Sequence, residues 1–105
     1  MHSLTSKPLV HINILTPKPG RLDDFIASQL EGRPNLGQIR GLTTSRLYRA
    51  EDGSRAIVVA GFESIEAYDD FKQGPAFQAE RARLAPLLEG VQPAFYRLIY
   101  ERLGG

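Results

Sequence analysis

The segment Ala56-Ile57-Val58-Val59-Ala60-Gly61-Phe62 is apolar at every position. A strand that reads as an unbroken apolar run is buried on both faces. Any fold built on this chain must therefore place a layer on each side of that strand. The turn Glu51-Asp52-Gly53-Ser54 joins it as a hairpin to a preceding strand, Leu42 to Arg49.

The other elements follow from period and punctuation. Leu9 to Leu15 is short, β-branched and bounded by Pro8 and Pro17-Lys18-Pro19-Gly20, which marks a first strand. In it Val10, Ile12 and Ile14 share one face, and His11 and Asn13 share the other with Leu9 and Leu15. Leu22, Phe25, Ile26 and Leu30 fall at helical spacing, with Asp23, Asp24, Gln29 and Glu31 assigned to the other faces. Asp23 and Asp24 suit the positive end of that helix, and Gly32 and Pro34 stop it. Asn35 to Gly41 adds a short helical turn. Ser64 caps a second helix carrying Ile65, Tyr68 and Phe71. Gly74-Pro75 breaks it and starts a third, whose apolar positions are Phe77, Leu84, Leu87 and Leu88. The last strand is expected from Ala94 to Glu101.

The order β-α-β-β-α-β predicts an α+β, ferredoxin-like fold with a four-stranded antiparallel sheet. A length of 105 residues suits one domain, here residues 8–105 after a loose tail at 1–7. In this topology the helices cover one sheet face, yet the third and fourth strands do not alternate as a half-wet sheet would. Leaving three such side chains uncovered forgoes about 1.5–3 kcal/mol each. The simplest cover is the same face of a second copy. A homodimer built as an α+β barrel is expected, with a chamber between the two sheets. On this reading His11 and Asn13 point away from the helices and into that chamber.

Composition narrows the function. Thirteen Lys and Arg against twelve Asp and Glu give a net charge of +1, which argues against a nucleic-acid partner. There is no cysteine, so disulfides, thiolate metal sites and Cys nucleophiles are excluded. Two histidines, His2 and His11, make no metal site alone, and the glycines do not form a phosphate loop. The N-terminal residues lack the apolar run of a signal peptide, and no stretch reads as a membrane span. The expectation is a cytoplasmic domain with no metal and no cofactor.

The polar residues predicted on the covered face carry the chemical interest. An amide in an apolar chamber needs hydrogen-bond partners, so Asn13 either orients a ligand or dioxygen, or bonds a neighbouring strand or water. His11 shares its face. Tyr68, Phe71 and Phe77 are either ordinary core or part of a substrate wall. Tyr48, Tyr96 and Arg97 line the chamber or stand at its mouth, depending on strand register.

These residues resemble the antibiotic biosynthesis monooxygenase family of small dimeric α+β barrels. The resemblance rests on His11-Ile12-Asn13-Ile14-Leu15-Thr16-Pro17-Lys18-Pro19-Gly20, on Gly61-Phe62-Glu63-Ser64-Ile65-Glu66-Ala67-Tyr68, and on Gly74-Pro75-Ala76-Phe77. It spans roughly residues 9–102. It implies a cofactor-independent oxygenase of an aromatic or quinol-like small molecule, with Asn13, His11 and Arg81 as its catalytic candidates. Asn13 would orient the substrate, His11 or a pocket tyrosine accept a proton, and Arg81 or Arg97 clamp an anion. The haem-degrading branch of the family uses an Asn, a Trp and a His. Here Asn13 matches, but Phe71 stands for the Trp and Arg81 for the iron-ligating His. Arginine does not ligate iron in the ordinary way, so haem degradation is disfavoured. The alternatives on the same fold are a non-catalytic small-molecule-binding dimer, and an isomerase or related stress-response enzyme.

Overall fold

A computed structural model describes residues 8–105; the tail expected at 1–7 lies outside the described residues. The chain runs β1 (Leu9–Pro17), α1 (Leu22–Gly32), a 3₁₀ turn (Arg33–Leu36), β2 (Leu42–Arg49), β3 (Ala56–Phe62), α2 (Ile65–Gln73), α3 (Pro75–Leu84), a second 3₁₀ turn (Ala85–Leu87) and β4 (Leu88–Arg97). The sheet order is β2-β3-β1-β4, with every neighbouring pair antiparallel. This is the expected α+β, ferredoxin-like arrangement, in which the all-apolar β3 and its partner β1 occupy the middle.

Local chemistry sets the helix boundaries. The Ser64 hydroxyl accepts the Ala67 N–H at 3.0 Å, capping α2. Pro75 opens α3, where its missing N–H costs nothing. Gly41 at φ 80° lets its loop approach α2 closely, since an added Cβ would sit 2.6 Å from the Ala67 Cβ. The core gathers Leu15, Leu22, Phe25 and Ala56, with Ile26, Leu47, Val58, Leu84, Leu87 and Leu88 packed around them. An Arg83 Nη2 donor reaches the Ser28 carbonyl at 2.6 Å and the Glu80 carboxylate at 2.7 Å. That clamp ties α3 to α1 and closes the helix layer.

Two expectations are corrected. The last strand begins at Leu88, not Ala94, and ends at Arg97, not Glu101. Its extent follows from β1: Leu88 pairs with Pro17 and Arg97 with Leu9, so Leu98 to Glu101 have no strand to join. Pro93 within it is accommodated because β4 is an edge strand. Leu88, expected in the third helix, is the first residue of this strand.

The second correction concerns the faces of β1. Leu9, His11 and Leu15 are the buried set, only 4%, 7% and 5% exposed, and His11 stacks on Tyr68 of α2. His11 and Asn13 therefore point towards the helices, not away from them. Period-2 spacing separates the two side-chain sets without saying which one the helices cover. Here both sets contain large aliphatics, so the pattern is symmetric. The other face carries Val10, Ile12 and Ile14 beside Ile57 and Val59, none of them fully buried. An apolar face left open by the helices is thus present, as the β3 pattern requires.

Candidate functional site

A cavity of about 290 Å³ lies between the sheet and the helices of the single chain. The chamber expected between two subunits is accordingly not where the candidate site is found. β1 contributes His11 and Asn13 as its floor, β3 contributes Val58, Ala60 and Phe62, and α1 contributes Phe25 and Gln29. Tyr68, Phe71 and Lys72 come from α2, and Phe77, Glu80 and Arg81 from α3. The volume is at the small end of the range for small-molecule sites, roughly 300–1,000 Å³.

The wall is aromatic because these side chains recur on the inward faces of their elements. The His11 ring lies 4.2 Å from the Tyr68 ring in a stacked pair, and 5.0 Å from Phe95 at a steep angle. Tyr68 meets Phe95 edge-on at 5.0 Å and Phe62 at 5.3 Å. Phe71 continues the series to Phe77 at 4.9 Å. Such edge and offset contacts hold flat rings in fixed planes.

Burial sets the protonation states. Loss of water around His11, aided by the nearby Lys72 charge, holds its pKa below the ordinary 6.5. At neutral pH the imidazole is uncharged and free to accept a proton. Burial raises the Tyr68 pKa, reinforced by Asp69 and opposed by Arg81. Its hydroxyl therefore remains protonated, a donor rather than a base.

Charge on the lining is one-sided. Arg33, Lys72 and Arg81 supply three cations against the single carboxylate of Glu80. Glu80 is already engaged, accepting from Arg83 at 2.7 Å and from the Asn35 amide at 3.2 Å. Lys72 and Arg81 are exposed and stand at the mouth. An anion forming inside would find cations and no free carboxylate. Asn13 and Gln29 belong to the lining, but their side-chain oxygens are buried away from the open space and have no hydrogen-bond partner. Among the described residues no three His, Cys, Asp or Glu side chains gather as a metal site.

Of the candidates read from sequence, His11, Asn13, Tyr68, Phe71, Phe77 and Arg81 meet at this cavity. Tyr48 and Tyr96 do not. They pair opposite Ile57 and Val10 on the open sheet face, 50% and 49% exposed. Arg97 pairs with Leu9 at the end of the sheet and is not part of the wall. Sequence reasoning missed Gln29 and Lys72. Both had a signal: Gln29 lies seven residues after Leu22 and four after Phe25, on the apolar stripe of α1, and Lys72 lies four after Tyr68. Grouping Gln29 with Asp23, Asp24 and Glu31 on the other faces of α1 overlooks this spacing.

The folded chain has close structural likenesses. A Bordetella bronchiseptica protein superposes with a TM-score of 0.79 at 23% identity, covering 90% of this chain and 100% of that one. Rv0793 from Mycobacterium tuberculosis gives 0.75 at 21% identity, covering 90% and 97%. A variant of SnoaB, a cofactor-independent oxygenase from Streptomyces nogalater, gives 0.77 at 14% identity, covering 91% and 97%. At these identities the likeness is one of fold. No curated protein matches the sequence. The sequence itself matches the description "Antibiotic biosynthesis monooxygenase" over residues 8–83, from the first strand through nearly all of α3. The aromatic cavity between sheet and helices is thus that of a member of the antibiotic biosynthesis monooxygenase family, to which this chain belongs.

Proposed function

We propose that this protein is a cofactor-independent monooxygenase of an aromatic, quinol-like small molecule. The observation that carries the proposal is the placement of an uncharged, buried imidazole and an amide at the end of an aromatic slot whose mouth holds unneutralised cations. An electron-rich arene bound there needs no external reductant. A dihydroxyarene supplies all four electrons: quinol plus O₂ gives hydroxyquinone plus water, one oxygen atom entering the ring and the other leaving as water.

His11 accepts a hydroxyl proton as the substrate anion forms. With its pKa lowered, the imidazole is a weak base, so the reaction depends on stabilising the anion. Arg81 and Lys72 supply that stabilisation, in a site where aromatic side chains replace water. Asn13 orients the substrate oxygen, and Tyr68, Phe71 and Phe77 hold its ring plane. The bound anion then passes electrons to dioxygen beside the apolar side chains of the cavity.

The open sheet face supports a homodimer: Val10, Ile12, Ile14, Ile57 and Val59 remain only part-buried in one chain, and a second copy covers them most simply. We place the dimer in the cytoplasm, with no nucleic-acid or membrane partner. No helix among the described residues is long and apolar enough to cross a membrane.

Oxygen uptake with naphthalene-1,4-diol tests the proposal. The wild type is expected to consume oxygen well above the buffer rate, with hydroxyquinone as product. Asn13→Ala should lower the enzymatic rate by about 10²-fold, the scale of one lost orienting group in a dry site. Equal rates for the two proteins remove Asn13 from the mechanism. Tight binding of the diol without oxygen uptake identifies a binding protein rather than an oxygenase.

A further inference from the structure

Of the stretch Gln38-Ile39-Arg40, Ile39 lines the cavity. It is part-buried, while Gln38 and Arg40 on either side are exposed. The stretch belongs to no helix or strand and links the 3₁₀ turn at Arg33–Leu36 to β2. Both ends of this link are pinned. On one side Arg33 Nη1 donates to the Ser45 hydroxyl at 3.1 Å, and the Asn35 amide donates to Glu80 at 3.2 Å. On the other the Gly41 carbonyl accepts the Glu63 N–H at 2.8 Å, and Gly41 packs so closely on Ala67 that a Cβ there would clash. Between the pins, among the described residues, Gln38 to Arg40 make one hydrogen bond, a local turn from Leu42 N–H to the Ile39 carbonyl at 3.3 Å. Glycines stand at both joints. Gly37 has φ 64° and ψ −153°, a region open essentially to glycine alone, and nothing lies within 4 Å of where its side chain would be. Gly41 has φ 80°.

We infer that Gln38–Arg40 is a flap over the cavity, with Ile39 as its plug and Gly37 and Gly41 as its hinges. In the closed form Ile39 completes the apolar wall together with Leu36 and Leu42. Swinging outward, the flap carries Ile39 into water and opens the wall between the 3₁₀ turn and β2, while the pinned ends stay in place. Opening exposes one part-buried aliphatic side chain and breaks at most one turn hydrogen bond. A segment held so lightly is drawn from the low-stability end of the structure and moves on the microsecond-to-millisecond scale. The inference rests on reading the cavity as a ligand site and is independent of the oxygenase chemistry.

Relaxation-dispersion NMR of the ligand-free protein tests it first. Exchange is expected at the Gln38, Ile39 and Arg40 amides and not at those of Arg33, Asn35 or Glu63. Flat dispersion along the flap overturns the inference. The same method then follows exchange of 2-naphthoate, an aromatic anion suited to an apolar cavity with cations at its mouth, and shifts at Phe71 and Phe77 report its location. Ile39→Ala should raise association and dissociation rates alike by about fivefold, the scale of one part-buried aliphatic contact, and keep Kd within about twofold. Removing a gate speeds entry and exit together, whereas removing a wall contact speeds exit alone. Gly37→Ala adds a methyl group that meets no neighbour but cannot hold the closed dihedral angles, so it too should raise both rates. Circular dichroism verifies that each variant is folded, and the wild-type dispersion stands as a test even if a variant is not. Faster dissociation with unchanged association in folded Ile39→Ala makes that residue an ordinary wall contact and refutes the flap. Absence of shifts at Phe71 and Phe77 removes the cavity as a ligand site and the flap with it. Failure of oxygen uptake while both rates still move together would sink the oxygenase reading alone and leave this one standing.

Discussion

Replacing His11 by phenylalanine separates the chemical from the structural role of that ring. In the folded chain His11 is 7% exposed, stacked on Tyr68 at 4.2 Å and packed against Phe95 at 5.0 Å. Phenylalanine preserves a flat ring of similar size in that stack, so His11→Phe should fold and should keep the slot's shape. It removes the only proton acceptor assigned on the cavity floor. The expected loss is about 10²–10⁴-fold in kcat, the usual contribution of a positioned general base, or about 2.7–5.5 kcal/mol of barrier.

The pH dependence has a definite sign. The folded-state pKa of His11 is lowered below 6.5 by burial and then by Lys72. The unfolded chain therefore binds the proton more readily. The stability contributed by the neutral ring is present above pH 6.5 and is lost as pH falls through the folded value. Activity should follow the same direction, since protonated His11 cannot act as base: a plateau at neutral pH and a decline on acidification. The assay is initial oxygen uptake between pH 5 and pH 8, beside urea unfolding of both proteins at each pH. His11→Phe should be slow at every pH and should lose the His11 part of the acid destabilisation. Wild-type rates in His11→Phe would refute the assignment of the base. An acid limb that persists unchanged in the variant's stability would refute the claim that burial of this ring causes it.

Two further outcomes follow from the packing. Phe25 is 1% exposed at the junction of core and cavity, so Phe25→Ala should cost about 3–5 kcal/mol in chemical denaturation, against a total near 5–15 kcal/mol for a domain of this kind; a loss below about 1.5 kcal/mol would show that the site collapses around the smaller residue. On the open sheet face, Ile12→Asp should shift the protein towards a single chain in sedimentation at micromolar concentration while leaving the helix-facing core intact, and unaltered sedimentation would place the subunit contact elsewhere.

Much of the architecture was legible from chain pattern because local and long-range demands agree. The uniform apolarity of Ala56–Phe62 requires two covered faces, and the strand does lie next to the sheet centre between β1 and β2. Ser64 and Pro75 mark helix starts by their own chemistry, independent of tertiary context. The site was legible as residue types but not as a place. Val10, Ile12 and Ile14 look like the better core face of β1, and an isolated histidine looks like a residue to be kept out of it. The structure resolves this in favour of Leu9, His11, Asn13 and Leu15, because the imidazole stacks on Tyr68 and meets Phe95 edge-on in a three-ring cluster. Moving those two residues to the helix side carries the candidate site from the space between subunits into the single chain. Gln29 was misread for a related reason, its polarity masking a position on the apolar stripe of α1. The early start of β4 has no local signal, because Gly90 and Pro93 are poor strand formers; pairing with β1 at a sheet edge is what accommodates them.

A crystal structure of the protein soaked anaerobically with naphthalene-1,4-diol measures the location of the site directly. The expected result is ligand density between β1 and the α1–α3 layer, with its ring beside Phe71 and one oxygen beside the Asn13 side chain. Density confined to the opposite sheet face, beside Tyr48 and Tyr96, would contradict the account.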